Sequence, residues 1–370
     1  MAAMETRRVR PELRDFEPYV AGRSIDEIKA KYNLHSVIKM ASNENPLGTS
    51  PVVQKVIRDN VPLAFRYAQA GNPLLRSALA GYLGVVDAEC LVCGNGSDEI
   101  IDLLIRVLAR PGKDNIVAFD PCFSIYKVQA KLCGVEFRQV ALDDNFHFPW
   151  DALLAKADER TKIIFVTNPD NPSGYAVPVT DLVDLASRIP EDALLVVDEA
   201  YIDFADPLEE YSMLPVFRKM TNVVLLRTFS KLFGLAGLRL GYGIMPPWLA
   251  DYLMRSRLPF SVNILAEKAG IAAVQDEIFI AKTRETVLRG RRDLTQGMQA
   301  AGCTVYPSQA NFLLVRPPMD PAIICERLLR KGIIIRGLGS YGLDAFFRVS
   351  VGNEEENRIF LGAITEVLNG

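Results

Sequence analysis

At 370 residues, with 49% hydrophobic and 24% charged side chains, the chain has the make-up of a globular protein large enough for about two domains. A net charge of −3 gives no electrostatic reason to bind nucleic acid or an anionic membrane, and no apolar run reaches the roughly 18–20 residues of a membrane span. Two histidines, His35 and His147, are too few for a histidine-based metal site or a Ser-His-Asp triad.

In chain order, the charged start Met1–Arg14 lacks the apolar stretch of a secretion signal. Six cysteines in a chain with such a start fit a reduced thiol set in the cytoplasm. Pro11, Pro18 and Gly22 break the first segment, and Ser24-Ile25-Asp26-Glu27 has the spacing that opens a helix. Val37–Met40 reads as a strand, followed by the turn-rich loop Ala41-Ser42-Asn43-Glu44-Asn45-Pro46-Leu47-Gly48. Helical and strand patterns then alternate. A helix is expected over about Leu74–Gly81, a strand over Cys90–Cys93, and a helix over Ile100–Ala109. Further strands are expected at Asn115–Phe119, Val135–Val140, Ile163–Thr167, Leu194–Val197, Val223–Leu226 and Gly241–Ile244. Several are unbroken Val/Ile/Leu runs, the pattern of strands buried on both faces, and their alternation with helices predicts a mainly parallel wound α/β sheet. After about Arg257 the pattern changes to a long helical stretch from Ile264 to about Gly302. Short strands follow near Phe312–Val315, Ile333–Ile335 and Phe346–Val349, which predicts a smaller α+β unit.

Four stretches carry candidate chemistry. Gly94-Asn95-Gly96-Ser97-Asp98-Glu99 links a strand to a helix, so its free amides and the helix dipole offer a seat for phosphate, although the lysine of a P-loop is missing. Asn168-Pro169-Asp170-Asn171-Pro172-Ser173-Gly174 can aim an amide at a ligand from a loop. Asp198, in Val196-Val197-Asp198-Glu199-Ala200-Tyr201, ends a buried strand where open α/β sheets bind ligands, and can pair with a pyridinium N–H. A metal-binding acid competes with that reading. Last, Thr228-Phe229-Ser230-Lys231 with Arg239 sets a lysine where a buried strand meets a glycine-rich loop. Desolvation depresses a lysine's pKa and makes it a nucleophile toward an aldehyde, and the flanking hydroxyls and guanidinium suit a phosphate. Pyridoxal 5'-phosphate carries both groups. Cys90-Leu91-Val92-Cys93 has CxxC spacing without a second pair and reads as buried strand thiols.

Taken together with Pro18-Tyr19-Val20-Ala21-Gly22, Arg66-Tyr67 and Arg348-Val349-Ser350-Val351-Gly352, these stretches resemble the fold-type I aminotransferases of the aspartate aminotransferase superfamily. The Pro-Tyr start and the Asn-Glu-Asn-Pro loop are similar to the histidinol-phosphate aminotransferase family within it. The resemblance implies a large pyridoxal-phosphate-binding domain, a mainly parallel sheet in a three-layer sandwich, over residues 49–257. A small domain over 258–370 would be joined by an N-terminal segment, 1–48. It implies that Lys231 joins the cofactor covalently and then shuttles a proton, that Asp198 holds the ring nitrogen, and that Asn171 and Tyr201 hold the ring oxygen. The cofactor phosphate would rest on Gly96, Ser97, Asp98, Thr228, Ser230 and Arg239, with Tyr67 reaching in from the partner of a homodimer. Phe123 would stack on the ring, where many relatives have tyrosine, and Ala68 stands where relatives often have proline. On the substrate side, Arg348 would grip a carboxylate and Arg336 the phosphate of histidinol phosphate, with Tyr19 and Asn43 assisting; no metal is implied. The implied reaction is cytoplasmic transamination of L-histidinol phosphate with 2-oxoglutarate, yielding imidazole-acetol phosphate and L-glutamate in histidine biosynthesis. Three other functions share these residues: aromatic amino-acid transamination, phosphothreonine decarboxylation, and non-catalytic binding or regulation by an aminotransferase-like protein.

Overall fold

The structure, a computed structural model, describes Val9, Arg10, Leu13 and residues 24–370. In chain order its strands are β1 (Ile38–Lys39), β2 (Leu91–Asn95), β3 (Asn115–Asp120), β4 (Glu136–Ala141), β5 (Thr161–Thr167), β6 (Leu194–Asp198) and β7 (Val223–Thr228). They continue with β8 (Leu240–Ile244), β9 (Thr304–Val305), β10 (Phe312–Arg316), β11 (Ile333–Ile334), β12 (Arg336–Gly337) and β13 (Phe347–Ser350). A seven-stranded sheet in the order β2-β8-β7-β6-β5-β3-β4 forms the centre, parallel except for β8, which runs antiparallel to both neighbours. Both faces are covered, as the unbroken apolar runs predict. On β5, Ile163 and Phe165 enter one buried cluster while Ile164 and Val166 enter the other. Period-two alternation sends successive side chains to opposite faces, and each fully buried one contributes about 1.5–3 kcal/mol.

The second sheet, β12-β13-β10-β9, is antiparallel, and β1 pairs in parallel with β11. The N-terminal segment is therefore tied to the C-terminal part of the chain. Two expectations are corrected here. The helical pattern from Ile264 to Gly302 is two helices, Ile264–Gln275 and Glu277–Ala300, interrupted at Asp276. Asp276 accepts from the Phe279 amide through its side chain, and a capping aspartate starts a new helix more readily than it extends an old one. The first of these helices packs on helices Pro51–Asn60 and Pro73–Leu83 of the larger layer. Gly270 makes that contact close, because a Cβ there would lie 2.6 Å from Leu240 Cδ2 and 3.0 Å from Leu75 Cδ1. The expected strand Ile333–Ile335 is shorter, ending as β11 at Ile334; after Ile335 the chain enters β12, which belongs to a different sheet.

The C-terminal ends of β6 and β7 are held side by side by a buried ion pair. Arg227 donates to Glu199 Oε2 at 2.9 and 2.7 Å and to Ser212 Oγ at 3.0 Å, while the Met213 amide donates to Glu199 Oε1 at 2.7 Å. Both side chains are at most 5% exposed. Removing one member of such a pair strands the other charge. Arg227→Ala is expected to destabilise the fold by about 3–5 kcal/mol, read from urea unfolding. A change below 1 kcal/mol would show the pair to be dispensable.

Candidate active site

Where the parallel strands end, the chain encloses a cavity of about 370 Å³. Its walls come from separate elements: Ser97 and Asp98 after β2, Phe123 after β3, Thr167 and Asn171 after β5, Asp198 and Tyr201 at β6, Thr228, Ser230 and Lys231 at β7, and Arg239 before β8. Open α/β sheets place ligands at this edge because the loops diverge there. A smaller cavity of about 120 Å³ adjoins it, sharing Ser42, Phe123, Asn171, Tyr201 and Lys231 and adding Asn43, Arg336, Tyr341 and Arg348. Among the described sequence candidates, Gly96 and Tyr67 are not in these walls. Tyr67 is 79% exposed and stacks on Phe260 at 4.6 Å, while Tyr19 lies outside the described residues.

One end of the larger cavity is built from backbone. Gly96 has φ +78° and precedes the helix Ser97–Leu108, so the first amides of that helix face the opening. The turn lies directly on β8. A Cβ on Gly241 would stand 2.3 Å from the Ser97 nitrogen and 2.6 Å from the Gly96 carbonyl carbon, a space only glycine leaves open. Arg239, held in the left-handed region at φ +52°, brings its guanidinium to 3.0 Å from Asp98 Oδ2. With the Thr228 and Ser230 hydroxyls alongside, this is a donor-rich cradle of the size and chemistry of a phosphate.

At the floor, Asp198 is buried and accepts from Tyr126 OH at 2.7 Å and from the Ala200 amide at 3.1 Å. Burial pushes its carboxyl up to about 6, against the lowering effect of both hydrogen bonds. A cation presented to Oδ from inside the cavity would reverse that penalty, so the donor set fits a protonated ring nitrogen. Tyr126 also shares a hydrogen bond with Thr167 Oγ1 at 2.9 Å and stacks on Phe165 at 4.3 Å. The sequence reading missed it; three residues after Phe123, its only signal was a polar aromatic entering an apolar helix face. Phe123 meets the Tyr126 ring edge-on at 5.7 Å and forms a wall of both cavities.

Lys231 is half-buried, its Nζ donating to the Ser42 carbonyl at 3.1 Å and lying 5.6 Å from the Tyr201 ring centre. Burial lowers its pKa to about 8, with Arg348 and Arg239 pushing the same way and Glu44 opposing. The loop that carries it is braced by the N-terminal segment. Thr49 Oγ1 donates to the Gly234 carbonyl at 2.7 Å, and Asn45 Nδ2 to the Leu232 carbonyl at 2.7 Å. Gly234, at φ +65°, sits so close to residue 48 that a Cβ would fall 2.0 Å from the Gly48 oxygen.

Arg348 is 6% exposed and makes no ion pair among the described residues. One Nη donates to Asn171 Oδ1 and the other to the Ala41 carbonyl at 3.0 Å, its guanidinium lies 5.0 Å from the Phe312 ring centre, and its Nε–H has no partner. A buried guanidinium left so poorly compensated is costly unless an anion meets it. Arg336, on the neighbouring strand directly across from Arg348, lines the same smaller cavity and donates to Ser340 Oγ at 3.5 Å. Among the described residues, no group of three or more His, Cys, Asp or Glu could hold a metal ion, and no helix is long and apolar enough to cross a membrane.

Residues 35–364 match the family model of aminotransferase class I and II. The chain belongs to this aminotransferase family. It is 57% identical over 366 residues to a histidinol-phosphate aminotransferase of Oleidesulfovibrio alaskensis, covering 98% of this chain and 95% of that one. It is 58% identical over 360 residues to a histidinol-phosphate aminotransferase of Nitratidesulfovibrio vulgaris strain Hildenborough, covering 97% and 96%. Among solved structures, histidinol-phosphate aminotransferase from Sinorhizobium meliloti in complex with pyridoxal-5'-phosphate superposes with a TM-score of 0.89 at 26% identity, covering 98% of each chain. The aminotransferase is therefore an α/β fold-type I transferase with small-molecule substrates, as the sequence patterns led one to expect.

Proposed function

We propose that this aminotransferase uses pyridoxal 5'-phosphate to move the amino group of L-histidinol phosphate to 2-oxoglutarate, giving imidazole-acetol phosphate and L-glutamate in histidine biosynthesis. One observation carries the reaction class: the uncompensated Arg348 shares a cavity with a lysine whose pKa is depressed toward neutrality. The substrate follows the names of relatives 57–58% identical over nearly the whole chain.

When bound, the cofactor supplies an aldehyde that captures amines and a ring that stores an electron pair. The chain's residues do the rest. Ser97, Thr228, Ser230, Arg239 and the amides of residues 96–98 would hold the phosphate; Asp198 would hold the ring nitrogen, and Phe123 would lie against the ring. Tyr201 and Asn171 face the ring oxygen. Lys231 would hold the aldehyde carbon through Nζ, and as a neutral amine it would be the base that carries the proton of the substrate's Cα. A depressed pKa suits that task, because a lysine at its ordinary pKa stays protonated near neutrality. Arg348 meets the carboxylate of glutamate or 2-oxoglutarate, and Arg336 the phosphate of histidinol phosphate.

The fully assembled site is proposed to need a homodimer. Tyr67 lies outside the cavity walls, and with exposed Phe65, Leu258 and Phe260 it forms an apolar surface suited to a second copy. Six free cysteines support a reducing, cytoplasmic setting. We assign residues 49–257 to a large domain built on the larger sheet and residues 258–370 to a small one, which the described residues 24–48 join.

The test is a pair of half-reactions followed by the cofactor's spectrum. Arg348→Ala is expected to cost about 10²-fold or more in kcat/KM for 2-oxoglutarate, the scale of a lost buried charge-assisted contact. If the wild-type spectrum does not change with histidinol phosphate yet changes with phenylalanine, the substrate assignment fails.

A further inference from the structure

Tyr201 is held by a chain of hydrogen bonds that begins in the second sheet. Ser350, on β13, accepts from the backbone N–H of Asn43 at 2.8 Å through its hydroxyl oxygen. Its proton is thereby turned to Asn43 Oδ1, 2.8 Å away. That contact settles which way the Asn43 amide faces: the oxygen points to Ser350, and Nδ2 donates to the Tyr201 hydroxyl oxygen at 3.2 Å. With its oxygen occupied as an acceptor, the phenol keeps its own proton for a partner on the cavity side. Asn43 cannot easily turn away. It is buried, sits in the left-handed region at φ +56°, and has its carbonyl held by Asn311 Nδ2 at 3.1 Å.

We propose that Asn43 and Ser350 are positioning residues that fix Tyr201 as a hydrogen-bond donor toward the ring oxygen of the bound cofactor. The inference rests on the cofactor reading above and adds two residues that act on the ring oxygen through Tyr201, Asn43 doing so from the wall of the smaller cavity. Register gives it a mechanical sense. Ser350 and Arg348 are two apart on β13, so they point to the same face of that strand. Arg348 reaches Asn171 while Ser350 reaches Tyr201 through Asn43. A single strand of the smaller sheet thus orients both groups that face the ring oxygen. Other groups around the phenol are Lys231 after β7, Asp198 on β6, Arg348 on β13 and Tyr341 after β12, with the Phe312 ring edge-on at 5.1 Å.

The experiment titrates the visible absorption of the protein loaded with pyridoxal phosphate. A donor to the ring oxygen favours its ionised form, so losing the donor moves the titration midpoint upward. Asn43→Asp keeps the shape and tolerates the same backbone, but offers Tyr201 an acceptor, and the phenol proton turns to it. We expect the midpoint to rise by about one pH unit. The new charge alone also raises it, so the same change is made in the Y201F background, where the rise should be clearly smaller. Ser350→Ala brings no charge and unclamps the amide; it should raise the midpoint in the wild-type background and leave Y201F unmoved. A purely structural role would lower thermal stability equally in both backgrounds and leave the midpoint alone. Equal shifts of N43D in both backgrounds, or an unmoved midpoint in S350A, overturn the relay and leave the cofactor reading standing. A wild-type protein without a titratable visible band overturns both.

Discussion

Lys231→Ala is expected to erase the visible absorption of the cofactor-loaded protein and to lower transamination by about 10⁴-fold, since in the proposed function one side chain is both covalent anchor and proton carrier. The fold should survive the change. Among the described residues Lys231 pairs with no carboxylate, and its Nζ makes one hydrogen bond, to the Ser42 carbonyl. In cofactor-free protein the lysine is a small burden instead. Its folded pKa of about 8 lies below the ordinary 10.5, so at pH 7 the folded state holds the charge less willingly than the unfolded chain does. That penalty is complete below about pH 8 and fades as pH rises toward the ordinary lysine range, which makes stability climb with pH over that window. Cofactor-free Lys231→Ala should therefore be no less stable than wild type at pH 7 in urea unfolding. A variant that keeps its colour, or that retains more than a tenth of wild-type turnover, would remove the lysine from the mechanism.

The second large effect belongs to Asp198. Its replacement by asparagine keeps an oxygen to accept from Tyr126 OH and removes the charge that would pair with the ring nitrogen. Turnover should fall by about 10³-fold, in the range seen when a preorganised electrostatic contact is lost. The fold should respond in the opposite sense. Asp198 has a folded pKa raised to about 6, so the stability this carboxyl contributes is complete below the ordinary 3.8 and is lost as pH rises through about 6. Cofactor-free wild type should lose stability across that interval, and Asp198→Asn should lose less. Parallel unfolding curves for the two proteins between about pH 4 and 7 would contradict the burial argument. The two substitutions also divide the labour of the site. Lys231→Ala removes the bond to the cofactor, whereas Asp198→Asn leaves that bond and removes the force that draws electrons into the ring.

Sequence alone determined the central architecture, because the strands of the larger sheet are buried on both faces and advertise themselves as unbroken apolar runs. Ile163–Thr167 and Val223–Leu226 could hardly be anything else, and Lys231, Asp198 and Arg239 stood out because charged groups at such strand ends need a reason. Local pattern failed where the deciding contact was remote. The helical run after Ile264 continues through Asp276 by periodicity, yet Asp276 caps a new helix while the first one packs on residues 51–83. Ile333–Ile335 looked like one strand, yet only Ile333 and Ile334 pair, with β1, and the chain beyond Ile335 joins a different sheet through Arg336 and Gly337. The same is true within the site. Nothing near Tyr126 in sequence announces that its hydroxyl meets an aspartate 72 residues away, or that Ser350 reaches Tyr201 by way of Asn43, itself 307 residues from Ser350. Hydrophobic periodicity is a property of neighbours and can be read along a line. The direction of a hydrogen bond depends on which donors and acceptors folding brings within 3 Å, and that was decided only when the two sheets and the N-terminal loop closed around one cavity.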